Sequence, residues 1–493
     1  MACSYAFGVS GAMSAFTVAF QVPNLFRRLF GEGALSAAAI PVLSEKLERE
    51  DVASVDALAG RLVAMLLVAL AVLCIVLEGA IAGIYWCTAA RGGDTLVWTL
   101  TALMLPYMVL ICGTAILGGI QNVFGGFAVP AALPIVLNIF NITAALTARR
   151  WFGDHLERGV VLLSASVMVA GMVQFVLQWF ATRRRGLKLK LKLDTRDPAI
   201  RRNGLTMLPM LAGLAAVQLN TLADSVIAYV FVEEQIGDAA SAERVGSAVL
   251  YFGQRLYQFP LGVFSAALAT AIFPTLSRYA AVGDKPALGH TLSRAVGLAT
   301  FEGVPCMVGL ILVREPLVEV LFKRGEFAAW GDAVDRVSFA VAMYAVGIWA
   351  ASLNQIVVRA FYSVQDVRTP LRISMFNVVL NVTLNLILVN TFMKEAGMAF
   401  ATSFCATLQI IWLMVNFHRR QGHLEWRAIS IGMVKVLIAA ALMAGAILLI
   451  DKQLLTHAAA STKLLTLVPV GAAIYLAATW MLKCEELRHL LRR

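Results

Sequence analysis

The sequence predicts an all-α polytopic membrane protein: two pseudo-symmetric six-helix lobes, with the first helix of the first lobe absent, plus two C-terminal helices, about 13 membrane spans in all. Three observations lead there. Of 493 residues 60% are hydrophobic and only 14% charged, against about 45–50% and 25% in soluble domains. The apolar residues fall in runs of about 20, the length that crosses a hydrocarbon core of roughly 30 Å. Proline-centred motifs in the first half recur in the second at a nearly constant offset.

In chain order the spans are expected near 13–44, 61–86, 97–120, 127–148, 159–182, 206–232, 248–276, 295–313, 337–358, 371–389, 397–417, 428–450 and 464–482. Each is an apolar run closed on both sides by charged or turn-forming residues. All are far longer than the roughly 10 residues of a barrel strand and do not alternate with polar positions, so helices are predicted throughout. The connections supply orientation. Those at 45–61, 121–126, 183–205, 277–294, 359–372 and 418–427, with the tail 483–493, hold 25 of the 41 Lys and Arg; the opposite set holds 12. The richer set is therefore cytoplasmic, anchored by Arg183, Arg184, Arg185, Lys188, Lys190 and Lys192. A cytoplasmic tail after thirteen spans puts Met1 outside, at the head of the uncharged stretch 1–14, and a further helix is expected upstream of it.

The formal charge of +11 does not point to nucleic acid, because the basic residues sit between apolar spans and form no soluble face. Seven cysteines without a CxxC pair imply neither a disulfide framework nor a zinc site. No HExxH, Walker A, GxSxG or GxGxxG pattern occurs, so nothing nominates an enzyme or a cofactor.

The repeat is carried by three matches. Gln21-Val22-Pro23 returns as Gln258-Phe259-Pro260, Ile40-Pro41-Val42-Leu43-Ser44 as Phe273-Pro274-Thr275-Leu276-Ser277, and the pair Pro130 and Asn141 as Pro370 and Asn381. An even number of helices per repeat gives parallel lobes about an axis along the membrane normal, an architecture suited to alternating access. The expected organisation is an N-lobe 1–182, a basic cytoplasmic linker 183–205, a C-lobe 206–427 and a C-terminal helix pair with tail 428–493.

Charges within spans are the functional pointers, since each costs about 2.5–3.5 kcal/mol at a helix centre. Arg27 and Arg28 follow Pro23, with Glu32 one turn beyond Arg28. The planar guanidinium fork suits phosphate, while an Arg28–Glu32 pair at i,i+4 would be structural. Arg255 occupies the repeat-equivalent helix and has no acidic residue three or four positions away; it either binds an anion or snorkels to an interface. If Arg27 and Arg255 face each other across the lobes, they make a divalent anion site. A second, less cationic group comprises Gln218, Asn220 and Asp224, with Asn377, Asn381 and Asn385 at i, i+4 and i+8. It reads either as interhelical hydrogen bonding or as a Na⁺ site of Asp224 with amide and hydroxyl oxygens, including Thr402. Glu302, Glu78 and Lys435 are expected to be paired or near an interface.

The segments 20–45 (FQVPNLFRRLFGEGALSAAAIPVLSE), 251–278 (YFGQRLYQFPLGVFSAALATAIFPTLSR) and 361–372 (FYSVQDVRTPLR) resemble the MurJ (MviN-type) lipid II flippases of the MATE-like, or MOP, exporter superfamily. The resemblance extends over nearly the whole chain. It implies fourteen helices, a last helix pair lining a groove for the lipid tail, and export of the undecaprenyl-pyrophosphate-linked peptidoglycan precursor across the bacterial inner membrane toward the cell-wall synthesis machinery. It also implies that Arg27 and Arg255 are cavity arginines receiving the pyrophosphate region, and that Asp224, Asn381, Asn385 and Thr402 match a sodium site of the family. Ser14 stands where an aspartate is often found, and Gln254 where an aspartate commonly precedes the cavity arginine. Other readings stay open: an exporter of another lipid-linked glycan, a multidrug antiporter, whose cavity would more naturally be acidic, or a non-transporting membrane scaffold.

Overall fold

A computed structural model describes residues 1–31, 52–187, 218–235 and 242–487, with the isolated positions 43, 47, 189, 191–193 and 215. The chain divides into two units, Ala2–Ser247 and Ala248–Arg493. Among the described residues the structure is helical apart from one two-stranded hairpin.

The first unit holds α1 (Ala2–Phe7), α2 (Gly11–Phe26), α3 (Val52–Ala90), α4 (Leu96–Met104), α5 (Tyr107–Val123), α6 (Ala128–Phe152) and α7 (Leu156–Arg184), then helical residues 218–231 and the antiparallel hairpin β1 (Glu233–Gln235) with β2 (Ala242–Arg244). Helix α2 begins where the Ser10 hydroxyl accepts the Met13 N–H at 3.3 Å, satisfying one of the orphan donors of a first turn. Its regular winding ends soon after Pro23, which lacks a backbone donor, and the chain widens into a π-helical turn over Arg27–Gly31. Helix α3 is 39 residues long, about 58 Å at 1.5 Å per residue, so it overshoots a hydrocarbon core at one end or both. Its first half buries Val55, Ala59 and Val63 against protein, while Ile75, Val76 and Trp86 in the second half are exposed, an apolar surface suited to lipid. Close helix contact in this unit depends on small residues. A side chain at Gly171 of α7 would lie 2.4 Å from the Tyr107 ring of α5, so only glycine lets these helices meet.

The second unit begins within α8 (Gly246–Pro260), which passes through a second π-helical turn, Leu261–Ser265, into α9 (Ala266–Ala281). There follow α10 (Lys285–Phe322), α11 (Glu326–Ala329), α12 (Ala333–Ala345), α13 (Ile348–Ser363), α14 (Arg368–Leu388), α15 (Lys394–Arg420), α16 (Trp426–Leu454) and α17 (Ala460–Met481). One core joins α10, α13 and α15 through Leu292, Val296, Ile356, Phe361, Leu413 and Phe417. Another joins α10 to the C-terminal pair through Phe301, Val304, Val436, Met443 and Tyr475.

Ten described helices are long and apolar enough to cross a membrane, or eleven if α12 and α13, bent by 43°, count as one span. These match eleven of the thirteen expected spans; the other two, 13–44 and 206–232, run into residues outside those described, as does part of the basic run 183–205. The count of thirteen is thus not reached among the described residues.

The sequence repeat reappears as repeated geometry. Pro23 and Pro260 each introduce a π-helical turn, and Pro130 and Pro370 are both the third residue of their helix. The turns before those helices also match. Gly125 and Gln365, 240 positions apart, both have positive φ (72° and 61°), and each donates to the carbonyl three residues back, Asn122 and Tyr362, at 3.0 Å. The next N–H in each turn, Gly126 or Asp366, reaches back five residues to Gln121 or Phe361. Glycine takes this left-handed conformation without strain; Gln365 adopts it against its preference.

Candidate anion and cation sites

Arg27 stands at the start of the first π-helical turn. Its Nε donates to Asn24 Oδ1 at 3.0 Å, so the side chain is held by a residue three positions earlier on its own helix. It lines a cavity of about 260 Å³ within the first unit, together with Thr114, Asn122 and Gln174. Gln174 Nε2 donates to the Leu133 carbonyl at 2.8 Å, while Gln174 Oε1 and Asn122 Oδ1 are buried without a hydrogen-bond partner among the described residues. A guanidinium beside two such acceptors can bind a phosphate and, next to it, hydroxyl or amide donors. Arg28 Nη1 donates to Gln218 Oε1 at 3.4 Å. Glu32 lies outside the described residues.

Arg255 belongs to the second unit, on α8, and is exposed. Its guanidinium carbon lies 4.7 Å from the centre of the Tyr251 ring, one helical turn earlier. The adjacent Gln254 donates to Tyr344 Oη at 3.2 Å, and Tyr344 stacks on Tyr257 with ring centres 4.8 Å apart. Sequence reasoning singled out neither Asn24 nor Tyr251. The available signal was their spacing, i−3 and i−4 from each arginine, which puts both on the arginine's own helical face.

The polar group is divided between the units. Asn385 Nδ2 donates to Asn381 Oδ1 at 3.0 Å on the buried side of α14, Thr402 donates to the Met398 carbonyl at 3.1 Å, and Asn377 donates to Gln409 on α15 at 3.0 Å. Asp224 is buried in the first unit, within helical residues 218–231. Among the described residues no cluster of three His, Cys, Asp or Glu side chains is placed to hold a metal ion.

Of the isolated charges, Lys435 donates to the Lys483 carbonyl at 3.3 Å. Glu302 is not seen paired among the described residues. Its Oε2 is shielded and has no hydrogen-bond partner among the described residues, and the residue lines an apolar cavity of the second unit. Its own helix offers no partner within a turn, where positions 298, 299, 305 and 306 are Leu, Ala, Pro and Cys.

A further cavity of about 790 Å³ in the first unit is strongly polar. It is lined by Asp94, His155, Glu157, Tyr229, Glu233 and Arg244 among others. Apart from Tyr229, on helical residues 218–231, these residues come from the connections 87–96 and 149–158 and from the hairpin, all of which the charge count places on the outer side. Tyr229 donates to Asp94 at 2.8 Å, Arg244 donates to Glu233 at 3.1 Å, and the Gly11 N–H at the start of α2 donates to Glu243 at 2.8 Å. Three connections of one side therefore converge on a single cavity.

The model of the lipid II flippase MurJ family matches residues 3–468. The chain belongs to the MurJ lipid II flippase family. Its similarity to the probable lipid II flippase MurJ of Vibrio cholerae serotype O1 is 32% identity over 455 residues, covering 90% of this chain and 83% of that protein. The counterpart of Rickettsia prowazekii is 27% identical over 489 residues, covering 97% and 92%. Among solved structures the fold is similar to a lipid II flippase MurJ in an inward closed conformation, with a TM-score of 0.79 and 20% identity over 99% of this chain and 95% of that one. It is also similar to an inward-facing multidrug resistance MATE family transporter of the MOP superfamily, with a TM-score of 0.70 and 15% identity over 85% and 92%. The membrane-spanning, two-unit, almost wholly helical architecture is thus that of a transporter family, not of an enzyme.

Proposed function

We propose that the chain is a lipid II flippase of the bacterial inner membrane, moving the undecaprenyl-pyrophosphate-linked saccharide-peptide from the inner to the outer leaflet by alternating access. The observation that carries this reading, beside family membership, is the Arg27 cavity: a guanidinium held by Asn24 among buried polar acceptors inside a membrane-spanning unit. A pyrophosphate crossing a low-dielectric region needs a fixed cation, and its sugars need acceptors. The MATE-type fold likeness does not argue for a drug antiporter, because the charged residue in this cavity is basic where an organic cation would call for an acid.

Arg255 supplies the corresponding cation of the second unit, steadied by Tyr251. Asp224 is our candidate for binding a coupling Na⁺ in the first unit; a buried carboxylate in a span is stabilised by a cation or a proton. The cell-wall synthesis machinery that consumes lipid II in the outer leaflet is the functional partner.

The test is complementation of a flippase-depleted bacterium by Arg27→Ala, Arg255→Ala and both Lys variants, with membrane abundance measured in parallel. Each Ala variant should reach wild-type abundance and fail to support growth; Lys should rescue in part, keeping charge but losing the bidentate fork. Full growth on both Ala variants would overturn the anion-binding role.

A further inference from the structure

We propose, resting on the lipid II reading above, that the cavity beside Arg27 receives a secondary amide of the headgroup: an acetamido group on its sugar or a peptide bond of its stem.

The cavity holds about 260 Å³, less than the roughly 300–1,000 Å³ of drug-sized pockets, so it admits one substituent or a single ring and not a whole saccharide-peptide. Small residues of α5, Ala115, Gly118 and Gly119, leave the space open. A side chain at Gly118 would begin 3.3 Å from Pro130 of α6 and 3.8 Å from Gln178 Nε2 of α7.

The polar atoms here lack protein partners. Gln174, 2% exposed, donates Nε2 to the Leu133 carbonyl, and its Oε1 has no partner among the described residues; Asn122 Oδ1 is buried in the same state. Thr114 gives its hydroxyl hydrogen to the Leu110 carbonyl at 2.8 Å, which leaves its oxygen an acceptor. A donor lies alongside. Gln178, one turn beyond Gln174 on α7, is fully buried with both amide atoms unpartnered among the described residues.

Buried acceptors without donors are costly, so the lining calls for a ligand that brings donors. A cation would satisfy the oxygens but is repelled by the Arg27 guanidinium on the same cavity. A second anion would face acceptor oxygens. A neutral group with its own hydrogen remains. A hydroxyl answers the acceptors, yet it has no carbon body for the apolar walls of Ile111, Ala115 and Leu133. A secondary amide brings an N–H for Gln174 or Asn122, a carbonyl for Gln178 and a carbon body for those walls. It also reproduces, as donor and acceptor, the hydrogen bonds of any water it displaces. Because Arg27 borders the same cavity, one headgroup can engage the guanidinium with a phosphate and the pocket with an amide.

The experiment measures binding of three synthetic undecaprenyl-pyrophosphate carriers to the purified full chain in zwitterionic nanodiscs, with empty discs subtracted. The first bears a sugar with a free hydroxyl beside the anomeric carbon, the second the same sugar with an acetamido group in that place, the third the hydroxyl sugar with a short peptide. Wild type should bind at least one amide carrier about tenfold more tightly than the hydroxyl carrier, the worth of one net hydrogen bond, and the carrier that gains identifies the amide. Gln174→Leu should bring that ratio close to one. So should Ala115→Leu, which fills the cavity from α5 and keeps every polar atom. Arg27→Ala should weaken all three carriers together. Equal affinity of wild type for the three, with Arg27→Ala still weakening each, is the result of a cavity that holds water alone; it would overturn the amide pocket and leave the anion-binding role standing. A ratio unchanged in both Gln174→Leu and Ala115→Leu places amide recognition elsewhere and also overturns the pocket. No binding of any carrier, or no effect of Arg27→Ala on any, overturns the pocket and the anion-binding role together. Should Gln174→Leu fail to fold without its bond to Leu133, Ala115→Leu and Asn122→Leu decide by the same ratio.

Discussion

Replacing Glu395 by Gln should destabilise the second unit by about 3 kcal/mol. The pair it breaks is bidentate: Arg336 Nε donates to Glu395 Oε1 at 2.8 Å and Nη2 to Oε2 at 3.1 Å, tying the start of α12 to the start of α15. Both side chains are largely withdrawn from solvent, Glu395 at 4% exposure and Arg336 at 13%. Removing one partner of a buried pair costs about 3–5 kcal/mol, because the other charge is left in poor surroundings. Here Asp332, at 3.7 Å from Arg336 and about half exposed, still offers partial compensation, which places the loss at the lower end. At 1.4 kcal/mol per tenfold, that is on the order of a hundredfold in the folding equilibrium. The double variant Arg336→Met, Glu395→Leu removes both charges and fills the volume, and should fall within about 1 kcal/mol of wild type. The assay is equilibrium unfolding of the purified protein by sodium dodecyl sulfate in mild detergent, followed by tryptophan fluorescence. A loss below about 1 kcal/mol in Glu395→Gln, or a double variant as unstable as the single one, would refute the reasoning.

Three other outcomes are expected. Tyr251→Leu should lower flipping in proteoliposomes by about two- to fivefold, the worth of an exposed cation–π contact of roughly 0.5–1 kcal/mol, while Tyr251→Phe should behave as wild type; equal activity of Leu and Phe would deny Tyr251 a role in positioning Arg255. An impermeant maleimide added to intact cells should modify Cys87, the one exposed cysteine, and leave Cys484, whose thiol is buried and pushed upward by that burial and then by Glu486, so that at neutral pH little thiolate is present; labelling of Cys484 but not Cys87 would invert the topology. Sodium should raise the melting temperature of the purified wild type and not that of Asp224→Ala; sodium-independent melting of the wild type would return Asp224 to a structural role.

The spans, their alternation and the internal repeat could be read from the sequence because the membrane makes them local properties. A helix in hydrocarbon satisfies its own backbone, so a run of about 20 apolar residues is sufficient notice of it, and the basic residues between runs record orientation. Pro23 and Pro260 announced a break, and the structure gives the break its form, a π-helical turn in each unit. Arg27 and Arg255 stood out for the same reason, since a charge in an apolar run is visible at one position. What surrounds them was not visible. Gln174 and Asn122 reach the Arg27 cavity from α7 and the end of α5, about 150 and 95 residues away, and no period in the chain encodes that meeting. Glu302 shows the limit most clearly. Its sequence says only that a carboxylate lies in a span, which a base on any neighbouring helix could have neutralised. That the walls of its cavity from α16 and α17 are apolar, and that Lys435 is turned to Lys483, was decided by packing between helices over 100 residues apart, because whether a buried charge is paired depends on every element around it.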